Sequence, residues 1–203
     1  MPGEAAPRRT SPLRRKDRHL DDETWIDRLL AGAPIGHLAI VTDGMPTIHS
    51  HNFWADGDFI YSHGSQRGAL AQTLAGGPVR ACFTVAEAGR ILLADAAADF
   101  GTEFASVVAY GTIGRIDDEA ECTRALEGLL RKYVPHLEPG RDFRPTSPAD
   151  LARTAVYRFD VDRRIAKHNI RSAEHPSAPY PAFSFIEEER AADRLTNRPK
   201  PAS

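Results

Sequence analysis

The sequence predicts a mainly β protein, built as an antiparallel barrel with peripheral helices. Segments rich in β-branched and aromatic residues, about six or seven in number, are separated by short turns. Only a few segments have the periodicity of helices, and these do not alternate one for one with the strands, as a doubly wound parallel sheet would require. With 203 residues, the chain is long enough for one domain with a full core.

Composition divides the chain into three parts. Residues 1–20 are rich in arginine and proline, which predicts a basic, loosely ordered lead-in. Residues 21–170 carry the periodic patterns and form the predicted domain. Residues 171–203 contain five prolines and are expected to form an extended tail. Its apolar residues suggest packing against a neighbour such as a partner subunit, and they are Tyr180, Phe183, Phe185 and Ile186.

Two helices are predicted. The first begins within "DDETWIDRLLAGAP", where Asp21 or Asp22 can cap it, and ends before Pro34. The second runs from about Asp118 to Tyr133. Each has an apolar face, formed by Trp25, Ile26, Leu29 and Leu30 in the first and by Cys122, Leu126, Leu129, Leu130 and Tyr133 in the second.

The first strands form two predicted hairpins. "GHLAIVTD" is followed by a turn at "GMP" and by the strand "TIHSHNFWA". The Asp56-Gly57 dipeptide is a two-residue turn signal between that strand and "DFIYS". This turn would pair His51 with Ser62 and place His63 on the opposite face of the sheet from His49 and His51.

The remaining strands are longer. "VRACFTVA" and "RILLADAA" are predicted to be separate strands around residues 87–89. "FASVVAYGTIGRI" is one long strand in which Gly111 and Gly114 predict bulges or bends. "TAVYRFDVD" closes the domain.

Composition narrows the classes of function. A net charge of −2, with 41% hydrophobic and 27% charged residues, is typical of a globular protein and indicates no nucleic-acid surface. The basic run in residues 1–18 predicts a solvated tail. No apolar run approaches membrane-spanning length and the N-terminus is too polar for a signal peptide, so we expect a cytoplasmic protein with no membrane partner. Cys82 and Cys122 are interpreted as reduced core residues.

The segment "FIYSHGSQRGALAQTL", residues 59–74, is the strongest candidate for a site. It is predicted to leave a strand at Tyr61, turn through residues 62–65 and enter a helix at Ala69. The turn could bind phosphate, because a helix N-terminus attracts anions and Arg67 can add a paired hydrogen bond. Equally, Ser65 could cap the helix while Arg67 faces water.

The histidines nearby allow a metal site in principle. His49 and His51 share one face of their strand, and His63 is close in sequence. The predicted hairpin does not bring the three together, and no acidic partner lies near them, so we expect no metal there.

These residues resemble a known family, the pyridoxamine 5′-phosphate oxidase-like FMN-binding split barrels, and in particular their nitroimidazole-resistance (Nim) branch. The family's short motifs recur in the same order over about residues 14–170. At the phosphate turn, many oxidase-type relatives carry two adjacent basic residues, whereas Gln66 here precedes a single Arg67. The matching positions are Gly36 to Leu38, Pro46, Asn52-Phe53, Asp56-Gly57, Tyr61, His63, Ser65, Gly68 and Lys167.

The resemblance implies a six-stranded antiparallel split barrel, a homodimer with FMN at the subunit interface, and oxidoreductase activity on a small organic molecule such as a nitroaromatic. His63 would lie beside the flavin as the candidate catalytic residue. The residues implied to bind the cofactor are His49, Ser50, His51, Asn52, Tyr61, Ser62, His63, Gly64, Ser65, Arg67 and Lys167.

Two alternatives remain open. The histidines at 37, 49, 51 and 63 would suit a barrel that holds haem, since imidazole is a common haem ligand. The basic N-terminal run would suit a flavin-binding regulatory or storage protein.

Overall fold

The structure, a computed structural model, describes residues 15–181. Most of the basic run and the tail residues Phe183, Phe185 and Ile186 lie outside this range. Within it, nine strands and four α-helices alternate irregularly along the chain. The strands are β1 (His19–Leu20), β2 (Gly36–Thr42), β3 (Met45–His51), β4 (Trp54–Asp56), β5 (Phe59–Ser65), β6 (Val79–Leu92), β7 (Gly101–Arg115), β8 (Thr154–Asn169) and β9 (Ser177–Ala178), and the helices are α1 (Glu23–Gly32), α2 (Ala69–Thr73), α3 (Glu119–Tyr133) and α4 (Pro148–Leu151).

All strand pairs in this sheet are antiparallel, in the order β3-β2-β6-β7-β8-β5-β4. The two strands that end this order, β3 and β4, are separated in sequence only by Asn52 and Phe53. The sheet must therefore curl until its ends meet, which forms a barrel. Counted with β3 and β4 as one bent strand, the barrel has the predicted six strands, and β1 and β9 add short pairs to β8 and β6.

The helices begin where the sequence predicts. Asp22 caps α1 by accepting a hydrogen bond from the Trp25 N–H at 3.0 Å, and Asp118 caps α3 through the Glu121 N–H at 2.7 Å. The apolar face of α1 packs on the barrel core through Ile26 and Leu30. On α3, most of the predicted face is buried or half-buried, but Leu130 is exposed.

The interior of the barrel is a single apolar cluster. Phe53, Phe83 and Phe159 pack there with Tyr157 and the aliphatic residues of β6 and β7. A smaller cluster lies outside the barrel wall, where α3 covers Tyr61 and Val156. Cys122 belongs to this second cluster, whereas Cys82 is only half-buried on the outward face of β6, so the prediction of a core cysteine holds for Cys122 alone.

Two predicted turns are displaced. The β2–β3 turn lies at Asp43-Gly44, where both residues have positive φ, and Met45 already belongs to the next strand. The β4–β5 turn lies at Gly57-Asp58, because Asp56 pairs with Phe59. Both shifts place a glycine where the turn needs a left-handed backbone.

The predicted pairing of His51 with Ser62 was wrong. His51 pairs with Gly36 of β2, and Ser62 pairs with Tyr157 of β8. The cause is the bend at Phe53, whose side chain is fully buried and whose N–H donates to the Tyr133 hydroxyl at 3.0 Å. Before the bend the chain pairs with β2 as strand β3, and after the bend it pairs with β5 as strand β4.

The later strands differ from their prediction in one respect. The two strands predicted on either side of residues 87–89 are one strand, β6, with an irregularity in its pairing to β7 between Ala88 and Ile91. The bulge predicted at Gly111 is confirmed, since the β7–β8 register shifts between Tyr110 and Gly111. In residues 15–181, no helix has the length and apolar character needed to cross a membrane.

Candidate functional site

The bend at Asn52–Phe53 leaves two strand edges of the barrel wall without a partner. β5 pairs with β4 only as far as Tyr61, and β3 pairs with β2 alone, so neither β3 nor residues 62–65 of β5 has a strand partner on the facing side within the described part of the chain. We call this the β3–β5 cleft, formed by residues 47–51 and 62–65. Unpaired strand edges at a cleft leave backbone donors and acceptors available to a ligand.

Two histidines of β3 and one of β5 line this cleft. The rings of His49 and His51 are stacked with centroids 6.1 Å apart, and His51 lies edge-on to Tyr157 at 6.3 Å. Burial, followed by the charge of His49, lowers the pKa of His51, and interaction with the backbone of His63 offsets this only in part. Burial also lowers the pKa of His63, although part of its side chain remains exposed. Both rings are therefore neutral near pH 7 and can each donate and accept a hydrogen bond.

Thr47 adds an unpartnered group to the same strand. It lies on the His49 and His51 face of β3, and its hydroxyl is buried without a hydrogen-bond partner in the structure. A buried hydroxyl without a partner is costly, so this group is available to a ligand.

The turn after β5 differs from its prediction. β5 continues to Ser65, the turn occupies Gln66 and Arg67, and α2 has only five residues with Gly68 as its N-cap. Ser65 does not cap the helix, since its hydroxyl accepts from the Arg67 N–H at 3.2 Å. The guanidinium of Arg67 is exposed and bonds to no other residue in the 15–181 range.

Gln66 has a structural role. Its side-chain amide donates to the carbonyls of Thr154 at 3.2 Å and Leu151 at 3.4 Å. Its backbone N–H donates to the carbonyl of Arg153 at 3.2 Å. Gln66 thus ties the turn to the start of β8 and leaves Arg67 as the single basic group there.

Several predicted site residues are held elsewhere. Ser50 points to the outer face, where its hydroxyl lies 2.9 Å from His37 Nδ1. The amide of Asn52 donates to the Pro34 carbonyl at 3.2 Å. Tyr61 is fully buried under α3, where its hydroxyl donates to Glu121 at 3.0 Å and accepts from Arg124 at 2.6 Å. Their roles in binding stay predictions.

Of the other predicted site residues, Ser62 and Gly64 lie on β5 and Lys167 lies on β8. Ser62 is buried within β5, opposite Tyr157, and Gly64 follows it. Lys167 is exposed on β8, paired with Ser106, and has no contact with the cleft residues among the bonds of residues 15–181. The structure therefore places His51 beside His49, Tyr157 and the backbone of His63, and Gly64 near the Tyr157 hydroxyl. The side chains of His63 and Ser65 lie on the opposite face of β5 from Gly64, and Arg67 follows the end of the strand.

Sequence reasoning missed two lining residues. Thr47 could have been included, because strand alternation already places it with His49 and His51. Tyr157 could not, because it reaches the cleft only through the pairing of β8 with β5. No group of three His, Cys, Asp or Glu side chains suited to a metal ion occurs in the described range.

The sequence profile of the pyridoxamine 5′-phosphate oxidase family matches residues 22–168, from the cap of α1 almost to the end of strand β8. The chain belongs to the pyridoxamine 5′-phosphate oxidase family. This confirms the family inferred from the short motifs. Among curated protein sequences, no significant match is found.

Solved structures share the split-barrel fold of this family. The flavocytochrome Anf3 from Azotobacter vinelandii has 22% identity and a TM-score of 0.71, over 97% of this chain and 91% of that one. An FAD and haem binding protein from Mycobacterium smegmatis has 23% identity and a TM-score of 0.67, over 86% and 80%. A candidate 5-nitroimidazole antibiotic resistance protein from Bacteroides thetaiotaomicron has 20% identity and a TM-score of 0.61, over 74% and 86%. At these identities the likeness establishes the fold.

The residues of the β3–β5 cleft fit the flavin that such a family member would carry. Neither residues 45–51 nor residues 59–67 contain an aspartate or glutamate. These two segments therefore offer hydroxyls, imidazoles and one guanidinium to a phosphorylated ligand, and no carboxylate of their own. Gly64 lies beside Tyr157, and a Cβ at this position would be in ordinary contact, at 3.4 Å, with the Tyr157 hydroxyl.

Proposed function

We propose that this protein is an FMN-dependent oxidoreductase that acts on a small organic molecule, with nitroaromatic compounds as the first substrates to test. The observation that carries the proposal is the β3–β5 cleft, in which the unpartnered Thr47 hydroxyl, the neutral histidines and Arg67 form an acid-free set of donors. Membership of the pyridoxamine 5′-phosphate oxidase family supports it.

In this proposal each group of the cleft has one task. Ser65 and Arg67 bind the phosphate, because a hydroxyl and a free guanidinium at the strand end provide charge-assisted hydrogen bonds. Thr47, His49 and His51 bind the ring system along β3. His63, neutral and partly exposed, exchanges a proton with the substrate. The bound flavin supplies the hydride or electron transfer.

A homodimer is part of this proposal. The outward face of the β2–β3 hairpin carries two largely exposed apolar side chains, Val41 at 65% and Ile48 at 70%, and at the tip of the hairpin Met45, on the opposite face, is 67% exposed. A second copy of the chain is the proposed partner for this face. The cleft residues lie on the other face of strand β3, so this strand would contact the partner subunit on one face and the cofactor on the other. The family resemblance also implies a subunit interface at the cofactor.

The test is the absorbance spectrum of the purified protein, followed by titration with FMN. We expect flavin absorbance as purified, or tight uptake of added FMN. Arg67→Gln should weaken FMN binding by about 10-fold or more, the scale of one charge-assisted hydrogen bond. Arg28→Gln, an exposed arginine on α1, is the matched control and should leave binding unchanged. No flavin as purified and no uptake would refute the proposal.

The role of His63 is tested separately. His63→Ala should retain FMN binding but reduce the rate at which the reduced protein converts a nitroaromatic substrate by about 10-fold or more, because the proton donor is lost. An unchanged rate would remove His63 from the mechanism while leaving the flavin proposal in place.

Haem binding is the second candidate. It is favoured by the stacked His49 and His51 rings. Of the structures with the same fold, one is named a flavocytochrome and another an FAD and haem binding protein. A Soret band in the purified protein would support it, and His49→Ala and His51→Ala would then show which imidazole is the ligand. Haem uptake unaffected by either substitution would exclude both residues as ligands.

A further inference from the structure

A second cleft lies between α3, β4 and the end of α1. Its volume is about 390 Å³. Two cationic side chains of α3 line it, together with the indole of Trp54 and small residues, and no acidic residue does. The lining residues are Ala31, Trp54, Ala55, Gly128, Arg131 and Lys132.

The ammonium group of Lys132 is unusually placed. Nζ donates one hydrogen bond, to the Leu30 carbonyl at 2.9 Å, and lies 3.3 Å from the centroid of the Phe53 ring. Among residues 15–181 it forms no ion pair. A half-buried ammonium held by one carbonyl and a ring face is poorly solvated compared with an exposed lysine. Burial therefore lowers the pKa of Lys132 to about 8.

Arg131 supplies a second positive charge at the same cleft. Its guanidinium lies 5.9 Å from the centroid of the Trp54 ring and forms no ion pair with any residue between 15 and 181. An exposed guanidinium without a carboxylate partner is suited to a phosphate group. One cleft is thus lined both by a free anion-binding group and by a primary amine.

We propose that Lys132 is a site of covalent acylation by small acyl phosphates, with Arg131 binding the phosphate of the donor. The neutral amine attacks the acyl carbon and forms a C–N bond. The C–O bond to phosphate breaks, its electron pair leaves with the phosphate, and the amine nitrogen loses one proton to water. The product is a neutral amide in place of the ammonium.

The modification would act on the region next to the β3–β5 cleft. The charge that faces the Phe53 ring would be lost, and Phe53 forms the bend from which β3 and β4 diverge. This inference does not depend on which cofactor the β3–β5 cleft holds.

The experiment is incubation of the full chain with acetyl phosphate at pH 6.5 to 9.5, with the acetylated lysines identified by peptide mass spectrometry. The chain has only four lysines, at positions 16, 132, 167 and 200. Near pH 7.5 we expect Lys132 to react about five-fold faster than the exposed Lys16 and Lys167, because the lowered pKa of Lys132 leaves more of its own amine neutral. Its rate should level off just above pH 8.

Arg131→Gln separates phosphate binding from amine reactivity. With acetyl phosphate, this variant should acetylate Lys132 about three-fold or more slowly. With acetic anhydride, which carries no phosphate, the rate should match that of the unmodified sequence. Labelling of Lys132 no faster than of Lys16 and Lys167 would overturn the proposal, as would equal rates for the variant with acetyl phosphate.

Discussion

Glu103 shows how a single buried charge is stabilised in this protein. Its carboxylate, 10% exposed, accepts two hydrogen bonds from the Arg90 guanidinium, at 2.7 and 2.8 Å, and one from the Arg171 N–H at 2.8 Å. Arg90 also donates to the carbonyls of Ser172 and Ala173. The pair therefore holds the segment that follows β8 against the long β6–β7 hairpin.

This pair predicts a stability effect that depends on pH. The hydrogen bonds from Arg90 lower the pKa of Glu103 to about 2. Because the folded-state pKa lies below the unfolded value, the stabilisation is present above about pH 4.5 and is lost as the pH falls toward 2. Glu103→Gln should lower the thermal unfolding midpoint at pH 7 and reduce its fall between pH 5 and 3.

Asp17 provides the control for Glu103. Hydrogen bonds from Arg15 likewise lower the pKa of Asp17 to about 2, but the two side chains are 47% and 60% exposed. Solvent and salt screen such a pair, so Asp17→Asn should change the midpoint much less than Glu103→Gln. If the two substitutions changed the unfolding midpoint equally, burial of Glu103 would add nothing to the stability that its ion pair provides.

At the level of elements, the packing of α3 depends on one small residue. Gly128 lies in the middle of α3, and a Cβ there would overlap the Trp54 indole. Trp54 in turn stacks on Tyr61 at 5.3 Å, and Arg124 lies over both rings. The helix can lie close to the barrel wall because this position has no side chain.

The substitution Gly128→Ala is therefore expected to destabilise the protein by about 1–3 kcal/mol, the usual cost of overpacking. Gly32→Ala is a matched control at the last residue of α1, where an added Cβ meets nothing within 4 Å. It should stabilise by about 0.5–1 kcal/mol, because alanine has the higher helix propensity. Denaturant unfolding measures both, and a neutral Gly128→Ala would contradict the close packing.

At the level of the whole molecule, the bend at Asn52–Phe53 closes the barrel and opens the β3–β5 cleft. The Tyr133 hydroxyl accepts from the Phe53 N–H and donates to the Pro34 carbonyl at 2.8 Å. The end of α3 is thereby attached to the point where β3 and β4 separate. The fold and the cleft thus share one structural cause.

The proposed dimer is tested on the exposed face of the β2–β3 hairpin. Ile48→Glu places a charge at a position where the side chain is 70% exposed in the single chain. The substitution should therefore leave the folding of the single chain unchanged. If a second copy covers this face, the variant should be monomeric by light scattering and should bind FMN more weakly.

Leu137→Glu serves as the control for Ile48→Glu, since Leu137 is an exposed apolar residue in the loop after α3. It should leave both mass and FMN binding unchanged. A monomer before any substitution, or a dimer that Ile48→Glu leaves intact, would contradict a dimer formed through this face.

The sequence by itself determined the fold class, the family, the two longer helices with their aspartate caps and the bulge at Gly111. These depend on local signals, namely periodicity, capping and turn residues, that act over a few neighbouring positions. It did not determine which strands pair. The predicted register of His51 with Ser62 failed because a buried phenylalanine and a tyrosine 80 residues away bend the chain at Phe53. Only the tertiary structure could decide that Gln66 ties the turn to β8, that Tyr61 lies under α3 and that Tyr157 enters the cleft, because each of these depends on contacts between residues far apart in sequence.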